Sequence, residues 1–154
     1  MDTPRWLDDD QQLAWRAYLR MQGRLSAELN RRLQAASGLS LADYDVLVHL
    51  TDVPGGRLRP YELQRALDWE QSRLSHHLSR MQRRGLVERR ECADDGRGAF
   101  VVLTEAGREA ITAAAPGHVA AVRHLFFDVL GPDQVDALRR LATQVTTRLD
   151  AAGE

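Results

Sequence analysis

The stretch DWEQSRLSHHLSRMQRRGLVERRECADDGR, Asp68 to Arg97, decides how the rest of the chain is read. Between Gln71 and Arg90 it holds six arginines against one acid, Glu88, in a chain whose net charge is −1. A local cationic excess of this kind points to a polyanionic partner. On a helical wheel of about 100° per residue, Leu74, Leu78 and Met81 form a narrow apolar stripe. Ser72, His76, Ser79, Arg80 and Arg83 lie opposite, flanked by Arg73 and Ser75. One side packs and the other presents donors of the types that read base edges in a major groove. A solvated helix face has a similar composition, so the neighbouring elements decide between the two readings.

Working outward, Pro60 is placed for the first position of a short helix, Pro60 to Leu67, with Leu63 and Leu67 turned inward. Asp68 followed by Gln71 reads as a capping box that opens the basic helix, so the pair forms a helix-turn-helix. Gly85 ends that helix. Leu86 to Glu91 and Ala99 to Leu103 read as short strands, and Asp94-Asp95-Gly96-Arg97-Gly98 between them is turn chemistry, which makes a β-hairpin.

Farther out, Leu13, Ala17, Met21, Leu25, Leu29 and Leu33 recur every four residues in one long amphipathic helix stopped near Ser37 and Gly38, with Trp15, Tyr18 and Leu19 widening its apolar surface. Ser40 with Asp43 predicts a capped second helix, closed by Pro54-Gly55-Gly56. After the hairpin, Thr104 caps a helix whose apolar positions continue from Ile111 to Leu130, with a bend at Pro116-Gly117 and an end at Gly131. Pro132 opens a last helix carrying Val135, Leu138, Leu141, Val145 and Leu149 in a near-heptad repeat. The terminal helices bear more apolar face than the central module can cover, which predicts an intertwined homodimer.

Composition sets the outer bounds. All 21 basic residues are arginine, and from Arg57 to Arg97 ten arginines face seven acids, against eleven and fifteen in the remainder. A positive module sits in an acidic frame. The single cysteine, Cys92, excludes an internal disulfide framework and suits a reducing cytosol. No apolar run approaches the roughly 20 residues of a membrane span, and the acidic start is unlike a signal peptide, so a cytoplasmic protein with no membrane contact is expected.

In element order and in four motifs the chain resembles the MarR-type winged helix-turn-helix transcriptional regulators. The motifs are Ser72-Arg73-Leu74-Ser75-His76-His77-Leu78, Arg84-Gly85-Leu86-Val87-Glu88-Arg89, Asp95-x-Arg97 in the wing, and Leu103-Thr104-x-x-Gly107. The resemblance implies a mainly α fold with a small β-hairpin wing: a dimerisation helix over 1–38, a DNA-binding winged helix-turn-helix over 39–104, and dimerisation helices over 105–154. It further implies a homodimeric repressor on a pseudo-palindromic operator of double-stranded DNA. Arg73, His76 and Arg80 would touch or approach bases, and Ser72 and Ser75 would bond phosphates or bases. Arg83, Arg84 and Arg89 or Arg90 would serve the phosphate backbone, while Arg97 would enter the minor groove with Asp95 orienting the wing turn. Gln64 stands where the family usually has a small Ala packed against the recognition helix, a departure that bears on how the two helices cross, and Arg59 stands where a Ser or Thr cap is common.

Other chemistries are less well served. His49, His76, His77, His118 and His124 include no i, i+4 pair with a carboxylate, so no metal or other cofactor is expected. No arrangement of nucleophile and base, and no Gly-rich phosphate loop, supports an enzyme. Cys92 precedes the wing, where oxidation would displace Arg97. The resemblance also implies a cleft for small aromatic or phenolic acids between the dimerisation helices and the DNA-binding lobe, and Trp15, Tyr18 and His49, with Arg16 or Arg20, are of the right types for such an effector. A winged-helix adaptor that binds protein instead of DNA is the alternative from another class.

Overall fold

The structure is a computed structural model and describes residues 3–91 and 98–153. The elements run α1 (Asp9–Ser37), α2 (Leu41–Thr51), β1 (Arg57–Leu58), α3 (Pro60–Leu67), α4 (Gln71–Arg83), β2 (Val87–Glu91), β3 (Ala99–Leu103), α5 (Glu105–Leu125) and α6 (Pro132–Ala152). The fold is thus mainly helical with a small antiparallel sheet. The chain divides into two compact units, Met1–His118 and Val119–Glu154.

In the first unit the core gathers the inward faces of the helix-turn-helix and the sheet. Leu47, Leu63, Leu78, Met81 and Val101 are fully enclosed there. Each such side chain contributes about 2 kcal/mol by leaving water. Only the last turns of α1 join this core, through Leu33. Asn30 Oδ1 fixes that junction by accepting the Leu41 N–H at 2.8 Å. Farther toward its N-terminus α1 leaves Leu13, Trp15, Tyr18, Leu19 and Met21 exposed, so the surface expected to be widened by Trp15 and Tyr18 is not buried within one chain.

The caps follow from local chemistry. Asp8 and Gln11 form a reciprocal capping box on α1, and Ser40 and Asp43 do the same on α2. Gly38 ends α1 at φ 72°, a left-handed conformation that glycine adopts without a Cβ penalty. The turn after α3 departs from the sequence reading. Asp68 is left-handed (φ 54°) and closes α3, while Glu70 precedes α4 without a side-chain capping bond. Asp tolerates both a cap and a left-handed turn, and here the reversal needs the second role.

The sheet has the order β1-β3-β2, all antiparallel, with Val87 opposite Leu103 and Glu91 opposite Ala99. Strand β1, which pairs Arg57 with Val102 and Leu58 with Val101, was absent from the sequence reading because two residues show no alternation. Past the sheet, Pro116 lies inside α5 without ending it. The helix stops at Leu125 rather than at Gly131, because Phe126 leaves helical geometry (φ −123°, ψ −64°) and Phe127–Val129 form a separate 3-10 turn. The apolar spacing continues through that break, so periodicity could not reveal it.

Within the second unit, α6 starts at Pro132 as expected. It has no buried residue, and Val135, Leu141, Val145 and Leu149 stand exposed. Among the described residues no helix is long and apolar enough to cross a membrane.

Candidate nucleic-acid interface

The spacing in α4 sorts its residues as the wheel predicts. Leu74, His77, Leu78 and Met81 are buried, while Ser72, Arg73, Ser75, His76, Arg80 and Arg83 face outward. The helix ends in a Schellman turn: Gly85 adopts φ 77°, its N–H reaches Gln82 O at 3.0 Å, and the Leu86 N–H reaches Met81 O at 3.0 Å. That turn delivers Leu86 and Val87 to the core and starts the wing.

Three of the exposed cations are held by neighbours. The Arg73 guanidinium lies over the Trp69 ring, 4.1 Å from its centroid. Arg80 Nη2 donates to His77 Nδ1 at 3.1 Å. Arg83 Nε points to Ser79 O at 3.4 Å, a long contact that leaves the guanidinium largely available. On β2, Arg90 pairs with Glu88, the one acid of the basic stretch, while Arg89 is exposed.

Arg84 takes a different place from the one expected. Its Nη1 donates to Asp43 Oδ2 at 2.7 Å and its Nη2 to Gly38 O at 2.9 Å, so the group assigned to the phosphate backbone instead ties the end of α4 to the start of α2. Asp43 is almost fully enclosed, with a side chain 4 % exposed. Burial alone would raise its pKa. Contacts from His77 and Arg84 and the Ser40 backbone N–H outweigh that and hold the carboxyl well below the ordinary range. Nothing near Asp43 in the sequence announces this, because its partners lie on α4 and just beyond it.

The root of the wing is also braced. Arg57 and Arg59 both lie over Phe100, at 4.8 and 4.0 Å from its centroid, and Arg59 Nη1 donates to Gly98 O at 3.2 Å. Arg59 therefore supports the hairpin from the position where a Ser or Thr cap was expected, and the Glu62 carboxylate accepts its backbone N–H at 3.0 Å. Asp95 and Arg97, assigned to the wing tip, lie outside the described residues, as does Cys92.

Of the three effector candidates, two meet on one helix and the third lies on another. Trp15 and Tyr18 stack on α1 with centroids 5.7 Å apart. His49 on α2 has its Nδ1 2.8 Å from Asp45 O. A cleft of about 540 Å³ beside Phe100 and another of about 410 Å³ beside Trp69 are lined by other residues. On the α2 face, the Tyr44 and His118 rings meet at 4.4 Å; burial raises the pKa of Asp45 and lowers that of His118. Among the described residues no three metal-ligating groups converge.

Comparison with known proteins agrees with this geometry. The MarR family profile matches residues 37–98. The chain is similar to AbsC of Streptomyces coelicolor, a MarR family transcriptional regulator, at 40 % identity and a TM-score of 0.90 over 96 % of this chain and 99 % of that one. It resembles Sco3205 of the same organism, solved in complex with DNA, at 40 % identity and a TM-score of 0.89 over 95 % of this chain and 91 % of that one. The transcriptional repressor MprA of Escherichia coli is 27 % identical over 138 residues, 90 % of this chain and 77 % of that protein. A basic helix that follows the left-handed Asp68 turn, a braced hairpin and a match along nearly the whole chain lead to one assignment: the protein belongs to the MarR family of transcriptional regulators, DNA-binding transcription factors rather than enzymes.

Proposed function

We propose that the chain acts as a homodimeric repressor on a pseudo-palindromic operator, with α4 of each subunit in a major groove. The observation that carries this reading is the outward face of α4, where Ser72, Arg73, Ser75, His76, Arg80 and Arg83 stand exposed over a buried apolar stripe. Arginines at this spacing can pair with guanine edges while the serines bond bases or phosphates. Sco3205 was solved with DNA, and MprA carries the name of repressor.

Dimerisation is supported by the apolar faces that one chain leaves bare on α1 and α6, including Leu13, Trp15, Leu141, Val145 and Leu149. In this reading residues 1–38 and 105–154 form the dimerisation region and 39–104 the DNA-binding lobe. Two α4 helices about 34 Å apart would meet successive major grooves on one side of the duplex. The exposed Trp15–Tyr18 stack offers a flat surface to a small aromatic effector. Such a ligand would release DNA only by binding the unproductive spacing of the lobes more tightly than the productive one.

Arg73→Ala tests the assignment. Affinity for the preferred duplex is expected to fall by about 10- to 100-fold, the scale of one bidentate base contact, with sequence preference relaxed at one position. Competition binding against random duplex measures it. Equal loss on both DNAs would make Arg73 a backbone contact and remove the base-reading role.

A further inference from the structure

Beneath the exposed face of α4 runs a connected set of side chains centred on the buried Asp43 and His77. Asp43 is pinned by Arg84 Nη1 at 2.7 Å and by the Ser40 N–H at 2.9 Å, both on Oδ2. Its other oxygen, Oδ1, faces His77 Nε2 at 2.9 Å. His77 meets the Trp69 ring edge-on, with centroids 5.4 Å apart and planes at 83°. Each of the two rings then touches one exposed arginine: Trp69 lies under Arg73, and His77 Nδ1 accepts from Arg80.

The chemistry of these contacts fixes the histidine. A guanidinium only donates, so Nδ1 must accept, and the ring proton sits on Nε2 toward Asp43. The Nε2 contact is at hydrogen-bond length but outside good hydrogen-bond geometry, so His77 is held in place by packing and by the Arg80 bond more than by an ideal bond to Asp43. Arg73 and Arg80 are separated by two helical turns on one side of α4, a rise of about 10 Å. A free arginine loses much side-chain entropy when DNA immobilises it. Two arginines already resting on fixed rings lose less.

We propose that His77 and Trp69 are positioning residues for DNA recognition: they hold the Arg80 and Arg73 guanidinium groups in place over α4, so that sequence preference depends on side chains that do not reach the bases. This rests on the reading of α4 as the DNA-reading helix. It adds a determinant of specificity behind the contact face, anchored at His77 through Asp43 to the body of the domain.

The test is a pair of double-mutant cycles on full-length protein, with binding measured on a duplex selected from random sequence and on a random duplex. His77→Leu is expected to lower affinity for the selected duplex about tenfold and for random duplex hardly at all. His77→Gln should recover most of the loss, since an amide oxygen can accept from Arg80 while its NH₂ donates to Asp43. In an Arg80→Ala background His77→Leu should cost nothing more. Equal losses on both duplexes, additivity with Arg80→Ala, tighter binding by His77→Leu, or failure of Gln to rescue would each overturn the proposal.

Should His77→Leu not fold, the cycle of Trp69→Leu with Arg73→Ala decides in its place, because Trp69 is only half-buried. Non-additive losses support the positioning role and additive losses overturn it. Undiminished binding by both Arg80→Ala and Arg73→Ala would overturn the reading of α4 itself. Weakened binding by Arg80→Ala with an additive His77→Leu would remove the positioning role of His77 alone.

Discussion

Gly107→Ala is expected to lower the melting temperature by about 10 °C, the consequence of roughly 3 kcal/mol of overpacking in a chain of this size. A Cβ at Gly107 would stand 2.1 Å from the backbone oxygen of Leu86 and 2.9 Å from Leu103 Cδ1. That carbonyl cannot swing aside freely, because it also accepts the Thr104 N–H at 3.3 Å, and the Thr104 hydroxyl, whose shorter contact is to Gly85 O at 2.6 Å, lies 3.0 Å from it. The Thr104 hydroxyl oxygen in turn accepts the Gly107 N–H at 3.0 Å. The first turn of α5 is thus laid directly on the turn that ends α4, and only a residue without a side chain fits between them. Gly23→Ala is the control: a Cβ there meets nothing within 4 Å in the interior of α1, and a gain of about 0.5–1 kcal/mol is expected. Thermal unfolding of both variants measures the contrast. A Gly107→Ala protein that melts within about 2 °C of its parent would show that the two turns separate easily.

The second large effect lies at Asp43. Asp43→Ala leaves Arg84, His77 and the Ser40 N–H without their shared acceptor and is expected to cost about 3 kcal/mol, the low end for breaking a buried pair. The low end applies because the Arg84 side chain is 44 % exposed and recovers part of its solvation. The pH dependence has a definite sign. The folded carboxyl has a pKa below that of the unfolded chain, near 3.9, so its contribution is fully present above that value and is lost as pH falls toward the folded pKa. Denaturant unfolding at pH 6 and at about pH 3 should therefore show a steeper loss in the parent than in Asp43→Asn, which keeps the shape but does not titrate. Parallel losses in the two proteins would mean that Asp43 is not the group responsible.

These two residues mark the limit of what the sequence discloses. The motif Leu103-Thr104-x-x-Gly107 was recognisable, and Thr104 is the cap it was read to be. The reason for the glycine was hidden, since it is a close approach to a carbonyl 21 positions earlier. Asp43 looked like half of a capping box, and it is that, but the same carboxylate also gathers Arg84 and His77 from the far side of the domain. The internal partners of Arg84 are hidden for the same reason: an arginine in a basic run carries no local sign of a buried carboxylate beside it.

Periodicity served well where one face packs along a whole helix, as in the stripe Leu74, Leu78 and Met81. It failed where one residue type has two uses or where spacing survives a break. Asp68 turned left-handed instead of capping α4, and the apolar series ran through the end of α5 at Leu125. The outward face of α4 was legible apart from Ser79, which is half-buried with its hydroxyl turned back to Ser75 O, whereas the rings that support the face were not. Trp69 precedes the helix and His77 lies on its buried side, so only the packed structure shows them in contact with Arg73 and Arg80.

Dimeric, sequence-specific DNA binding is tested by selecting duplexes bound by the purified protein from a random-sequence pool and titrating the enriched sequence against salt. An inverted repeat is expected, with half-site centres about one helical turn apart, and an affinity whose logarithm falls linearly with that of salt at a slope near −0.9 per neutralised phosphate. A pool that remains unenriched at low salt, or one that yields a single half-site without symmetry, would contradict it.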